Sequence, residues 1–303
     1  INNIIMLKFK LKYKFKFNIK MNKLPQIFIP ELSEWLHQED LVNALIFIKG
    51  FKELSYSMKP SLIIKGKNLN KINKVFPKIS KLKVIELDNI EQLNSLYVLE
   101  NLRKLDLSNC SNITDNTIID SDNGISTLKL LTSLNLSFCE NITDNAIIDP
   151  INGISTLKLL TSLNLSMCIK ITDNAIINSN NGICNLKLLT SLSLSWCSKI
   201  TDDAIINSNG ISKLKLLTFL DLSECSKITD EAIINPNNGI SKLKLLTSLN
   251  LFMCSKITDN VIINSNNGIF NLKLLTSLNL DSCEKITDNA IIDPNNGIST
   301  LKL

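Results

Sequence analysis

Histidine is almost missing from this chain of 303 residues: His37 stands alone, and none of the eight cysteines falls in a CxxC pair. A zinc site therefore has little to be built from. Nothing assembles a nucleophile, a base and an oxyanion donor set, so an enzyme is not expected and no cofactor is called for. Aromatic residues make up 5% of the chain, and no uninterrupted apolar run approaches the roughly 18 to 20 residues that span a bilayer. Acidic residues are absent from positions 1–20, which hold six lysines, so residues 21–303 carry 27 basic against 28 acidic groups. The net charge of +5 is thus a property of the leader. Neither nucleic acid nor a membrane is expected as a partner of the body.

What the sequence has in abundance is a sentence repeated. Seven cysteines fall at Cys110, Cys139, Cys168, Cys197, Cys225, Cys254 and Cys283, in steps of 29 residues with one step of 28, where an Asn is missing before Gly210. A fixed period of this length predicts a solenoid, in which each unit buries its apolar side only by stacking on its neighbours. Cysteines at one phase of the period predict a buried ladder of thiols rather than disulfides. Cys184, off that phase, replaces the Ser of a Gly-Ile-Ser element.

Within a unit, Leu131-x-x-Leu134-x-Leu136 reads as a short strand with leucines pointing inward. Thr143-Asp144 reads as an N-cap for the helical turn Asn-Ala-Ile-Ile. The loop Asn178-Ser179-Asn180-Asn181-Gly182 is expected to turn on residues that tolerate positive φ, and Ile183, Leu186 and Leu189 to close the coil. Capping accounts for the stacked row Asp115, Asp144, Asp173, Asp202, Asp230, Asp259 and Asp288 without metal or catalysis. The row Lys170, Lys199, Lys227, Lys256 and Lys285 reads as a solvated edge, with an acidic partner as the alternative.

The pattern Leu-x-x-Leu-x-Leu-x-x-Cys-x-x-Ile-Thr-Asp resembles a leucine-rich repeat of the cysteine-containing type. It recurs from Leu102 to the end in about seven full copies, with a weaker one at Leu82, Ile85, Leu87 and Ile90. The resemblance implies an α/β solenoid with parallel strands on the concave face and short helices on the convex face, over residues 81–303, with the last copy cut short at Leu303. Upstream, residues 24–54 differ in texture, with apolar residues at spacings of short packed helices. Leu24, Pro25, Leu32, Leu36, Asp40, Leu41 and Phe51 resemble the pattern of an F-box. Pro30 interrupts the expected first helix and Phe51 stands where Trp is usual. A small helical cap on the solenoid is the alternative reading of this segment.

The expected domains are then a Lys-rich leader over 1–20, which reads as flanking sequence ahead of a start at Met21, an F-box-like domain over 21–60, a connector over 61–80 holding a degenerate strand at Leu62 to Ile64, and the repeats. The resemblance implies a substrate receptor of a Skp/cullin/F-box ubiquitin ligase in the cytoplasm or nucleus. A Skp-type adaptor and, through it, a cullin would bind the F-box, and an unidentified target protein the concave face. The alternative is a repeat scaffold without a link to ubiquitin.

Subtracting what all units share leaves the positions where they differ. Just before the cysteine the series runs Asn109, Phe138, Met167, Trp196, Glu224, Met253 and Ser282, and Phe219, Asp221, Phe252 and Asp281 break a background of Ser-x-Asn. Phe138, Met167, Trp196, Phe219, Asp221, Glu224, Phe252 and Met253 are the candidate target-binding residues. Two readings stand: an exposed binding stripe, or extra core under the ascending loop.

Overall fold

A computed structural model describes residues 61–69, 79–97 and 99–292; the F-box-like segment, with Leu24, Pro25, Leu32, Leu36, Asp40, Leu41 and Phe51, lies outside them. Nine strands form one open parallel sheet in sequence order: β1 (Ser61–Lys65), β2 (Lys81–Ile85), β3 (Lys104–Asp106), β4 (Ser133–Asn135), β5 (Ser162–Asn164), β6 (Ser191–Ser193), β7 (Phe219–Asp221), β8 (Ser248–Asn250) and β9 (Ser277–Asn279). Leu62 to Ile64 do form a strand, within β1 and paired to β2. Each later strand is followed by one short helix: α1 (Asp115–Ile119), α2 (Asn145–Ile148), α3 (Asn174–Ile177), α4 (Asp203–Ile206), α5 (Asp230–Ile234), α6 (Asn260–Ile263) and α7 (Asn289–Ile292). A 3₁₀ turn at Gly-Ile-Ser, such as Ile154–Thr156, then leads the chain back to the sheet.

Register follows the leucines. Leu134 pairs with Leu163, Leu163 with Leu192, and Leu192 with Leu220, so the shorter unit changes nothing at the sheet. The missing residue is absorbed in the loop, where the Gly210 amide bonds the Asn207 carbonyl three residues back instead of four as at Gly182. Nine apolar residues of one unit, from Leu131 through Cys139 and Ile147 to Leu157, are at most 1% exposed. No such short strand or single helical turn would hold alone; burial against the two neighbouring coils stabilises them.

Three side-chain ladders stitch the seams between coils. Every ladder thiol points at a backbone carbonyl one coil back, that of Val84 for Cys110 and that of a leucine for the others, as in Cys168 Sγ to Leu136 O at 3.3 Å and Cys254 Sγ to Leu222 O at 3.2 Å. Thr161, Thr190 and Thr218, at the entrance to each strand, donate their hydroxyls to the carbonyls of Thr132, Thr161 and Thr190. The third ladder corrects the capping reading. Asp173 does not cap its own helix; its carboxylate accepts the Thr201 amide at 2.8 Å and the Thr201 hydroxyl at 2.6 Å from the next coil. The threonine does the capping, its Oγ1 accepting the Asp203 amide at 3.2 Å. One hydroxyl can do both because it donates to the carboxylate and accepts from the amide.

Asp173→Ala therefore removes two bonds from Thr201 and breaks a seam rather than a cap. Hydrogen bonds to charged groups contribute roughly 1.5 to 3 kcal/mol. A loss of about 2 kcal/mol in urea unfolding is expected, with Thr201→Ala costing about the same and the double variant little more than either.

The loops also differ from expectation. Among the described residues no loop Asn has positive φ. Asn178 instead accepts the amides of Asn180 and Asn181 on its side chain, an Asx turn that needs no left-handed residue. Gly182 is required for space, since a Cβ there would sit 2.3 Å from the Ile176 carbonyl oxygen.

Candidate functional site

The left-handed residues are elsewhere. Glu86, Asn109, Phe138, Met167, Trp196, Glu224, Met253 and Ser282 have φ between 49° and 64°, one after each strand from β2 to β9, immediately before the cysteine position; in the first of these coils the pairing of Leu82 with Leu105 puts Leu87, not the expected Ile90, at that position. Their cause is local. After the strand the chain bends so that the thiol can turn inward, and the Cys139 amide closes this bend on the Leu136 carbonyl at 3.1 Å. The strand Asn prepares it by accepting the amide two residues on, as Asn135 does from Ser137 and Asn164 from Ser166. Asp221 does the same for Ser223 at 3.0 Å, so this candidate residue carries a structural task the sequence did not reveal. Its second oxygen lies 3.3 Å from Ser193 Oγ, and Ser193 in turn lies 2.7 Å from Ser166.

Side chains at the bend point away from the core. Phe138, Trp196 and Met253 are 45%, 50% and 42% exposed, and Met167 and Glu224 are half-buried. The stripe is not extra core. The amides of Phe138, Met167 and Trp196 each bond the carbonyl of the residue before the bend in the next coil, so these three side chains stand side by side at about the 4.8 Å spacing of paired strands. Phe219 is exposed at the other end of its strand, opposite Ser191 and five residues before the bend, while Phe252 is half-buried at the place Ser195 and Ser223 occupy in earlier coils.

Large side chains are an unfavourable choice for this backbone. Left-handed conformation costs a residue with a Cβ on the order of 1 to 2 kcal/mol, and Gly or Asn is the usual occupant. Every coil needs the bend, yet only Asn109 meets it with a residue suited to it.

Charge is distributed unevenly along the strand face. Its first strands present Lys81, Lys83 and Lys104, and its later ones Asp221, Glu224 and Asp281. Lys83 Nζ lies 3.2 Å from Asp106. Burial works against ionisation of Asp106, but hydrogen bonds from Ser108 and the Lys83 charge outweigh it and hold the carboxyl below the usual range.

Among the described residues no three His, Cys, Asp or Glu side chains gather as a metal site, and no helix is long and apolar enough to cross a membrane. Residues 127–148 and 185–212 match the Leucine Rich repeat family model. The fold is a leucine-rich-repeat solenoid. Among solved structures, the chain is similar to one in the Rad7 and Elc1 complex of yeast, at 20% identity over 96% of this chain and 86% of that one, with a TM-score of 0.46. A leucine-rich-repeat protein of Leptospira interrogans is 18% identical over 76% of this chain and 56% of its own, with a TM-score of 0.43. The functional domain of InlJ from Listeria monocytogenes, described as including a cysteine ladder, is 18% identical over 71% and 51%, with a TM-score of 0.35. No curated protein matches. Leucine-rich-repeat solenoids are a protein-interaction fold and generally non-enzymatic.

Proposed function

We propose that this protein is the substrate-recognition subunit of a Skp/cullin/F-box ubiquitin ligase, holding a target on the strand side of its leucine-rich-repeat solenoid. The observation that carries the binding half is the row at the bend: Phe138, Met167 and Trp196 stand adjacent and project from the core on a backbone that disfavours them. Strained positions kept with costly side chains are characteristic of binding sites. The adaptor half rests on the F-box-like pattern at Leu24, Pro25, Leu32, Leu36, Asp40, Leu41 and Phe51, in a domain over residues 21–60. The chain's contribution to catalysis is then proximity: it raises the local concentration of a target next to a ligase that does the chemistry.

A pull-down with a Skp-type adaptor tests this. The full chain is expected to retain the adaptor, and the variant with Leu24→Asp and Leu36→Asp to lose it. Retention by neither, or equal retention by both, leaves a repeat scaffold without a ubiquitin link.

A further inference from the structure

A second row of large apolar side chains runs along the opposite end of the strands. Each coil enters its strand through a tight turn closed by a 3.0 Å backbone bond, from Leu131 to Leu128 and identically from Leu160, Leu189, Leu217, Leu246 and Leu275. The two central residues are always Lys-Leu. The leucines at these tips, Leu130, Leu159, Leu188, Leu216, Leu245 and Leu274, are 41% to 50% exposed, while the leucine that follows each is buried. Scattered exposed leucines need no account, but six in register form a continuous stripe.

Around the last four tips, Leu188, Leu216, Leu245 and Leu274, the surroundings are cationic. From the Asn loop to the strand entrance, residues 178–192, 207–219, 235–247 and 264–276 contain no acidic residue and hold Lys187, Lys213, Lys215, Lys242, Lys244 and Lys273. None of these six forms an ion pair among the described residues; Lys187 and Lys244 point at the carbonyls of Cys184 and Ser241 instead. Lys215 and Lys244 are held below the usual lysine range by partial burial and then by the charge of neighbouring lysines, a sign of uncompensated positive potential.

We infer that this row of Lys-Leu turn tips docks on an anionic lipid surface. The tip leucines stand in register and are 41% to 50% exposed, so they meet a surface as a row of projections, whereas a helical peptide would need a groove to lie in. Every tip offers the same pair, suited to a fluid layer of repeated headgroups. The lysines neutralise the headgroups, and the leucines gain only where an apolar phase lies beneath them, which a soluble polyanion lacks. The balanced charge of residues 21–303 had argued against a membrane; the fold separates that charge and leaves one flank basic. This attachment is peripheral and independent of the ubiquitin-ligase reading.

Flotation of the full chain with phosphatidylcholine–phosphatidylserine vesicles, against pure phosphatidylcholine, tests it. Binding to the mixed vesicles alone, weakened by salt, is expected. Reversing Lys187, Lys215 and Lys244 to Glu is expected to lower partitioning on the order of 100-fold or more, at roughly fivefold per lysine. Leu188→Ser with Leu216→Ser and Leu245→Ser, exposed positions that leave the unfolding temperature unchanged, is expected to lower it about tenfold. Failure of the folded chain to bind mixed vesicles overturns the inference. So does binding that the leucine variant leaves intact, or equal affinity for soluble polyglutamate, either of which assigns the flank to an acidic protein or polymer.

Discussion

Raising the pH from 8 to about 10.5 is expected to unfold the solenoid, because seven buried thiols resist ionisation together. Burial pushes Cys110 up to about 11, and Cys168 and Cys254 up to about 12. Cys139 and Cys197 go higher still, Cys225 lies well above its ordinary value and Cys283 is raised, with burial again the first cause. An unfolded thiol ionises at about pH 8.5. Below that both states keep the proton and the ladder's contribution is complete. Above it the unfolded chain releases protons that the folded chain retains, and stability falls by about 1.4 kcal/mol per pH unit for each thiol. The six thiols raised furthest, those other than Cys283, together lose on the order of 8 kcal/mol per unit in one cooperative structure, comparable with the whole stability of a domain. Urea midpoints recorded from pH 7.5 to 10.5 should be flat at first and then drop steeply, with thiolate absorbance appearing only as the helical signal disappears. A midpoint that stays flat across this range would show that the ladder does not hold its protons.

Replacing Phe138 and Trp196 by Ala is expected to abolish retention of the target while leaving thermal unfolding within about 0.5 kcal/mol of the parent. Exposed aromatic anchors at interfaces contribute roughly 2 to 4 kcal/mol each, so the pair accounts for about a thousandfold in affinity or more. Comparison of the proteins that co-purify with the full chain and with the variant reads the first effect, and a calorimetric scan the second. Because Ala suits the left-handed bend no worse than Phe or Trp, no loss of backbone stability accompanies the change. A large drop in unfolding temperature would return these rings to the core and remove the main support for the binding surface.

Much of the fold was legible because the same letters recur at one phase. Leu134 and Leu136 alternate inward and Cys139 turns in after the bend, and their counterparts recur at the same phase in the other units. What stayed hidden are the places where one residue type can serve two ends. Leu130 and Leu131 are identical in the sequence, and only the turn between them sends one to solvent and the other to the core. Asp173 next to Thr172 reads as a cap, but its carboxylate reaches forward to Thr201, a partner 28 residues away. Ser126, Ser155, Ser212 and Ser241 look like surface letters, yet each hydroxyl is buried without a hydrogen-bond partner in a slot that Cys184 also fits. The bend at Phe138 and Trp196 left no trace either, since its usual Gly or Asn is missing from most units.

From β3 to β9 the three ladders make every seam between coils chemically the same, with a thiol on a carbonyl, a threonine on a carbonyl and a carboxylate on a threonine. A gene for such a chain can therefore gain or lose one 29-residue cassette by unequal recombination without creating a mismatched joint. The coils flanking the event meet the newcomer through contacts they already make. Selection is then left free to edit single letters at the bend, one per cassette, so that the exposed row can be lengthened and respelled while the coil beneath it is inherited intact.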